Sequence, residues 1–406
     1  MSCLGKGSDI RYREGSQTEE ESKEERKRSE QPNTNLENQT TSLTKRTNYK
    51  IRRRNRKRNK RKLQRQTKIQ ISAPVIRQRQ YDDEDKTWGD ELTIDNEWME
   101  SNDSGKIRLL HLNTNGITSK NEYVEWEILL DSLEQYQADI FCLNETKLDT
   151  RQSQVQFDIR DRAKRLDKHL HINMNSSLQQ PATVNSIFKP GGTMVGTRGN
   201  WSGRTIHITS DKAKDKLGRW SVTHLRGKNN TTITILSIYQ VCSRGYEGGN
   251  TAYLQQQADI YKLKGRFRDP RNELCKDLRT VLQQLNEQQH KIIICADIND
   301  DVGYEYNNLW NQTMEEAGMR HVLSTLHEQR PLPRTYDRGV RCLDTIMVSD
   351  NIHNDHILRA GILPFYTVSA SDHRAIYVDI DVKSLFQDIT IDKTKHTHHR
   401  CFTTKM

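Results

Sequence analysis

Short apolar runs that each stop on an acidic, amide or aromatic polar residue constrain this chain more than any other feature. Ile107 to Leu112 ends at Asn113, Ala138 to Leu143 ends at Asn144-Glu145, and Lys291 to Ala296 ends at Asp297. Thr231 to Ile238 leads into Tyr239, Leu343-Asp344 opens a run through Val348, and Ser371-Asp372-His373 enters another at Ala375. Apolar runs of this length, bounded by turn-forming residues, read as buried strands. Strand ends on one edge of a sandwich converge in space, so a fold built on these runs gathers Asn, Glu, Asp, Tyr and His side chains into one pocket.

The rest of the pattern says how the strands are packed. Trp126, Leu129, Leu130 and Leu133 recur at helical spacing within 123–136. Residues 252–289 read as mostly helical with a break near Asp269-Pro270, and 307–317 suits a helix. Further strands are expected over 192–196, 205–208, 220–225 and 375–382, with Gly227-Lys228-Asn229-Asn230 as a hairpin turn. Strands and helices mix without strict alternation. That predicts an α/β sandwich of largely antiparallel sheets flanked by helices, and argues against a doubly wound parallel sheet. The folded body is expected over 106–383, with loops over 148–190 and 240–251 and a tail over 384–406.

Charge separates a second region. Apolar residues make up 33% of the 406 and charged residues 29%, which predicts a folded part diluted by a disordered one. Between Lys45 and Lys68 lie 14 Lys and Arg and no Asp or Glu; the whole chain carries +10, so everything else sums to −4. The positive charge is a local device. Its densest stretch is Arg52, Arg53, Arg54, Arg56, Lys57, Arg58, Lys60, Arg61 and Lys62, suited to phosphate contacts or to a nuclear localisation signal. Residues 1–75 hold too little apolar surface to offset chain entropy, and 76–105 is acidic and reads as a linker, so 1–105 is expected to be disordered. The seven cysteines include no Cys-x-x-Cys pair, so a zinc ribbon is not expected, and no apolar stretch reaches transmembrane length. The odd cysteine count favours a reducing, intracellular compartment. His396, His398 and His399 cluster near the C-terminus and read as part of a disordered tail.

Each polar motif has an ordinary structural explanation when taken singly. Asn-x-Asn-Gly is most often a turn, because Asn and Gly tolerate positive φ. Glu145 could be a solvated charge, Asp297 a helix cap, Asp344 an edge-strand acid and Tyr239 a core aromatic. Gly191-Gly192-Thr193 reads as a simple turn before a strand. Taken together and in order, the motifs resemble the endonuclease/exonuclease/phosphatase superfamily, which includes exonuclease III-type apurinic endonucleases, DNase I and the nuclease domains of LINE-type retrotransposons. The residues carrying the resemblance are Leu112-Asn113-Thr114-Asn115-Gly116-Ile117, Ala138 to Lys147, Ala296-Asp297-Ile298-Asn299, Leu343-Asp344 and Ser371-Asp372-His373. The chain departs from the family pattern at two places. Gln240-Val241-Cys242-Ser243 stands where a Pro-Asn turn usually follows the tyrosine, and Cys342 stands where an arginine usually precedes the Leu-Asp pair.

The resemblance implies a DNase I-like four-layer α/β sandwich and a Mg²⁺-dependent phosphodiesterase, with Mn²⁺ as an alternative ion. It assigns Glu145, Asn115 and, through water, Asp372 to the metal, in keeping with the oxygen ligands Mg²⁺ takes. Asp297 would orient or deprotonate the attacking water, with Asn299 and Asn113 holding phosphate oxygens or the nucleophile. His373 would contact the phosphate, Asp344 would fix its tautomer, and Tyr239 would face the phosphate. Lys147 and Arg374 are candidates for flanking phosphates. DNA is the expected partner, acted on by a nicking endonuclease of the retroelement or apurinic-site kind, in the nucleus. The alternatives are an RNA nuclease such as a deadenylase, a phosphoinositide phosphatase of the same fold, or an inactive nucleic-acid-binding relative.

Overall fold

A computed structural model describes residues 86–94, 105–117, 122–176, 191–206, 215–243, 251–302, 308–328 and 330–386. The chain divides into two units, 1–79 and 80–406, and all described residues belong to the second. The basic run at 45–68 and the histidines at 396–399 lie outside the described residues.

Among the described residues, thirteen strands form two sheets. The first runs β1 (Trp88–Gly89), β12 (Ile357–Ile362), β13 (Ile376–Asp381), β2 (Lys106–Asn113), β3 (Ile140–Asn144), β5 (Thr193–Thr197) and β4 (His171–Asn175) in spatial order. The second runs β10 (Met319–His321), β11 (Asp344–Ser349), β9 (Lys291–Asp297), β8 (Thr232–Tyr239), β7 (Trp220–Arg226) and β6 (Thr205–Ile206). The β2–β3 and β8–β9 pairs are parallel and the others antiparallel. The helices are α1 (Val124–Gln135), α2 (Ser153–Leu166), α3 (Ala252–Lys264), α4 (Pro270–Glu287), α5 (Leu309–Glu316), α6 (Val322–Leu326) and α7 (Val382–Phe386).

Side-chain alternation along the central strands builds four layers. In β2, Ile107 and Leu109 face the other sheet, where they meet Ile233, Ile235, Ile293, Cys295 and Ile346. Leu110 and Leu112, one residue out of phase, face Trp126, Leu129 and Leu133 of α1 and Ile159 of α2. The second sheet does the same: Leu236, Ile238, Ile292 and Ile294 pack under Leu274, Leu278 and Leu282 of α4 and Trp310 of α5. The sandwich of two mixed, largely antiparallel sheets flanked by helices is therefore as expected. The break foreseen near Asp269-Pro270 separates α3 from α4, where Asp269 caps α4 by accepting from Asn272 N at 2.9 Å.

Several boundaries differ from expectation. The folded body starts before 106: Trp88–Gly89 pairs with β12, and Trp88 packs edge-on against His327 at 5.2 Å. It also runs past 383, because Phe386 of α7 is buried and stacks on Trp201 at 5.2 Å. The 148–190 loop contains α2 and β4 among its described residues. α2 is strongly charged and buries only Ile159 and Ala163 fully, which is why its apolar face was not legible.

Candidate active site

Register brings the polar strand ends to one edge. Asn113 pairs with Asn144 across the parallel β2–β3 step, and Tyr239 pairs with Asp297 across β8–β9. Asp344 pairs with Asp297 on the antiparallel side, while Ile376, just after His373, pairs with His111 of β2. Side-chain bonds cross between the sheets. Asn113 Nδ2 of the first donates to Asp297 Oδ2 of the second at 2.7 Å, and Asn144 Nδ2 donates to the Ile238 carbonyl at 2.7 Å.

The loops after β2 and β3 carry unusual backbone. Asn115, Glu145 and Lys147 all have positive φ, at 51°, 48° and 56°. Asn tolerates this region, but for Glu and Lys it costs energy and marks a backbone held in place by its surroundings. The 191–192 turn supplies the hold: Lys147 N donates to the Gly191 carbonyl at 2.8 Å and Thr146 N to that of Gly192 at 3.2 Å. Gly192 has φ 90°, and a Cβ there would lie 2.7 Å from Thr146 Oγ1, so the turn can approach only as glycine.

These loops gather oxygens around a cation. Tyr239 Oη donates to Glu145 Oε1 at 2.6 Å, and Lys147 Nζ lies 3.1 Å from Glu145 Oε2. The same ammonium donates to Asn115 Oδ1 at 2.7 Å, and Asn115 Nδ2 donates to Asp372 Oδ1 at 3.0 Å. Arg338 donates to the other Asp372 oxygen at 3.1 Å. Burial, followed by the Glu145 charge, raises the Tyr239 phenol well above its ordinary value, so it remains a donor. Glu145, Asn115 and Asp372 thus form an oxygen-rich set that already accepts positive charge, and hard divalent ions need such ligands.

Beside this set lie two buried acids and a histidine. Asp297 is fully buried. It accepts from Asn113 Nδ2, from Asn299 N at 3.0 Å and from Asn299 Nδ2 at 3.1 Å. Burial and then the negative charge of Asp344 push its carboxyl up to about 8. Asp344 moves the other way: burial alone would raise it, but His373 and His111 hold it well below the carboxylate range. Its Oδ2 takes the Nδ1 proton of His373 at 2.8 Å. Burial disfavours charge on that ring, yet Asp344 outweighs it and raises His373 to about 10. Ligand atoms of Asp297, Asp344 and His373 lie within 4.8 Å of one another. His373 and Asp344 already satisfy each other there, so the Glu145 set is the better cation site.

The 371–373 loop is pinned at several points. Ser371 Oγ donates to the Asn113 carbonyl at 2.5 Å and accepts from His373 N at 3.1 Å. Asp337 N donates to the Asp372 carbonyl at 2.9 Å, and Tyr336 stacks obliquely on His373 at 5.1 Å.

The structure therefore brings together Asn113, Asn115, Glu145, Lys147, Tyr239, Asp297, Asn299, Asp344, Asp372 and His373. Arg374 is a correction. It is 1% exposed and spends its guanidinium on the carbonyls of Leu363 at 2.6 Å, Lys86 at 3.0 Å and Ile362 at 3.2 Å, so it cannot meet a phosphate. Its neighbour His373 faces the site, and side chains alternate along an extended chain. Tyr239 differs in aim, since its hydroxyl addresses Glu145. Arg52 to Lys62 lie outside the described residues. Sequence reasoning missed His111, Arg338 and Cys242. Cys242, in the atypical turn after Tyr239, donates its thiol to Asn299 Oδ1 at 2.9 Å. His111 left a signal as a lone imidazole interrupting the apolar run that ends at Asn113, and Cys242 left one in the atypical turn.

No family model matches the sequence, and no curated protein matches it. Solved structures do. The AP endonuclease LMAP from Leishmania major superposes with a TM-score of 0.53 at 14% identity, covering 76% of this chain and 96% of that one. The AP endonuclease from Archaeoglobus fulgidus covers 68% and 100% at 15% identity, with a TM-score of 0.45. The endonuclease domain of TRAS1, a telomere-specific non-LTR retrotransposon, covers 68% and 99% at 13% identity, with a TM-score of 0.42.

Proposed function

The chain shares the DNase I-like fold of the endonuclease/exonuclease/phosphatase superfamily, and from that premise we propose that it is a divalent-metal-dependent phosphodiesterase that nicks DNA. One observation carries the proposal. Groups suited to three separate jobs meet on a single edge: cation-binding oxygens at Glu145 and Asn115, a candidate base at Asp297, and an imidazolium at His373. The resemblance to an AP endonuclease in fold supports a nuclease, of the apurinic-site or retroelement kind.

In this reading Glu145 and Asn115, with Asp372 beside them, would hold Mg²⁺, or Mn²⁺ in its place. The ion would supply neutralisation of phosphate charge. Asp297, clamped by Asn113 and Asn299, takes a proton from the attacking water. His373 turns Nδ1 to Asp344 and presents Nε2 to a phosphate oxygen as a charged donor. Tyr239 holds Glu145 in place, and Lys147 would meet a phosphate once an ion took its present partners Glu145 and Asn115. The basic stretch at 45–68 serves as a nucleic-acid arm or a nuclear signal. No helix among the described residues is long and apolar enough to cross a membrane.

The test is incubation with supercoiled plasmid, abasic duplex and poly(A) RNA, each with Mg²⁺ or EDTA. Plasmid or abasic duplex is nicked with Mg²⁺ alone, and Glu145→Ala abolishes it. Persistent nicking by Glu145→Ala would overturn the metal assignment. Cleavage of RNA alone would move the substrate to RNA.

A further inference from the structure

We infer that His111 is a positioning residue of this site, holding the second oxygen of Asp344 and so fixing the carboxylate that orients His373. The inference rests on the catalytic reading of the Asp344–His373 pair.

His111 occupies a position where its strand otherwise has core side chains. Along β2 the inward positions are Ile107, Leu109, His111 and Asn113, and the first two lie in the apolar layer between the sheets. His111 is 0% exposed. An imidazole placed there costs free energy unless its nitrogens find partners. Nδ1 faces the Cys142 carbonyl of β3 at 3.2 Å. Nε2 faces Asp344 Oδ1 at 3.6 Å, with both side chains sealed from solvent. Neither Nε2 nor that oxygen has a hydrogen-bond partner, so the 3.6 Å ion-pair contact is what each turns to.

Asp344 is therefore a carboxylate between two imidazoles. Oδ2 takes the His373 proton, and Oδ1 is met from behind by His111. A carboxylate held at one oxygen can swivel about its Cβ–Cγ bond, whereas one held at both cannot. His111 belongs to the first sheet and Asp344 to the second, so the contact also fixes the sheets' relative position at the site. A partner that acts on a reacting group through a second residue is worth about 10- to 100-fold in activity in comparable metal sites.

Three substitutions separate this role from plain core filling. His111→Gln keeps an N–H donor where Nε2 stood, His111→Asn keeps one only where Nδ1 stood, and His111→Leu keeps neither. Nicking kinetics, urea midpoints and the imidazole ¹H–¹⁵N spectrum are measured for each, with the His373 Nδ1–H signal assigned by its loss in His373→Gln. Expected is a kcat near the parent's for His111→Gln, and a loss of about 10-fold or more at unchanged KM for the other two. The His373 Nδ1–H signal should persist only in His111→Gln. Equal kcat in all three, or kcat losses that merely track the urea midpoints with the signal unchanged, would overturn the inference. If His111→Leu does not fold, the Gln–Asn pair decides. If the parent nicks nothing, the proposed function fails, while the imidazole signal still tests the positioning role.

Discussion

At the scale of single residues, Asp344 is the charge that sets its neighbours. It raises His373, because an anion favours imidazolium, and it raises Asp297, because two buried carboxylates resist sharing charge. The base form of Asp297 is lost as pH falls, and the charged form of His373 is lost as pH rises toward 10. The rate should therefore fall on both sides of a plateau. Asp344→Asn removes both influences, so both limbs should move to lower pH in a profile of kcat/KM. An alkaline limb that stays in place would show that His373 is not the group titrating there. Most of these residues were legible because each ends an apolar run, and the end of a strand is where a side chain stops packing and starts facing a cleft. His111 was not, because a histidine inside a strand has the same pattern whether it fills space or holds a carboxylate. Arg374 was misassigned for a related reason. It sits next to His373 in sequence but points into the protein, where carbonyls await it.

At the scale of elements, the sheets leave little slack. In β5, Gly196 pairs with Phe141 of β3, and a Cβ at 196 would lie 1.9 Å from the Phe141 ring. Gly196→Ala must displace that ring, which also packs edge-on with Trp126 of α1 at 6.2 Å. The expected cost is about 1–3 kcal/mol of unfolding free energy, read as a lower urea midpoint. Phe141→Leu should recover part of it by making room. The strands of the central layers were legible from apolar runs because they are buried on both faces. β4, β10 and β12 were not. Each is short or mixes exposed and buried positions, as in Leu358 and Arg359, so no run or clean alternation marks them.

At the scale of the molecule, the segment 86–94 closes the open edge of the first sheet. The Tyr377 hydroxyl donates to the Asp90 carbonyl at 2.6 Å, Arg108 donates to that of Thr93 at 3.0 Å, and Arg374 to that of Lys86. A chain starting at residue 106 loses these acceptors for buried donors, at about 1–3 kcal/mol each. It should unfold at a markedly lower urea concentration than a chain starting at residue 80. Equal midpoints would mean that water satisfies the exposed donors. Deleting 45–68 should act elsewhere, lowering DNA affinity and flattening its salt dependence while kcat at saturating DNA stays unchanged. The acidity around Asp82-Asp83-Glu84-Asp85 disguised the folded edge, because charge next to a strand reads as linker when the strand has only two residues.

The edge where the two sheets meet has a consequence for how the molecule comes into being. Asn115 and Glu145 follow strands of one sheet, Asp297 and Asp344 lie in the other, and the first sheet itself waits for β13 to return beside β2 from the far end of the chain. Such distant pairings close late in folding. A chain caught partway has the groups that follow β2 and β3 or the pair Asp297 and Asp344 in place, but not both in register. The proposed cleavage therefore needs both sheets in register, and partly folded copies should show none of it.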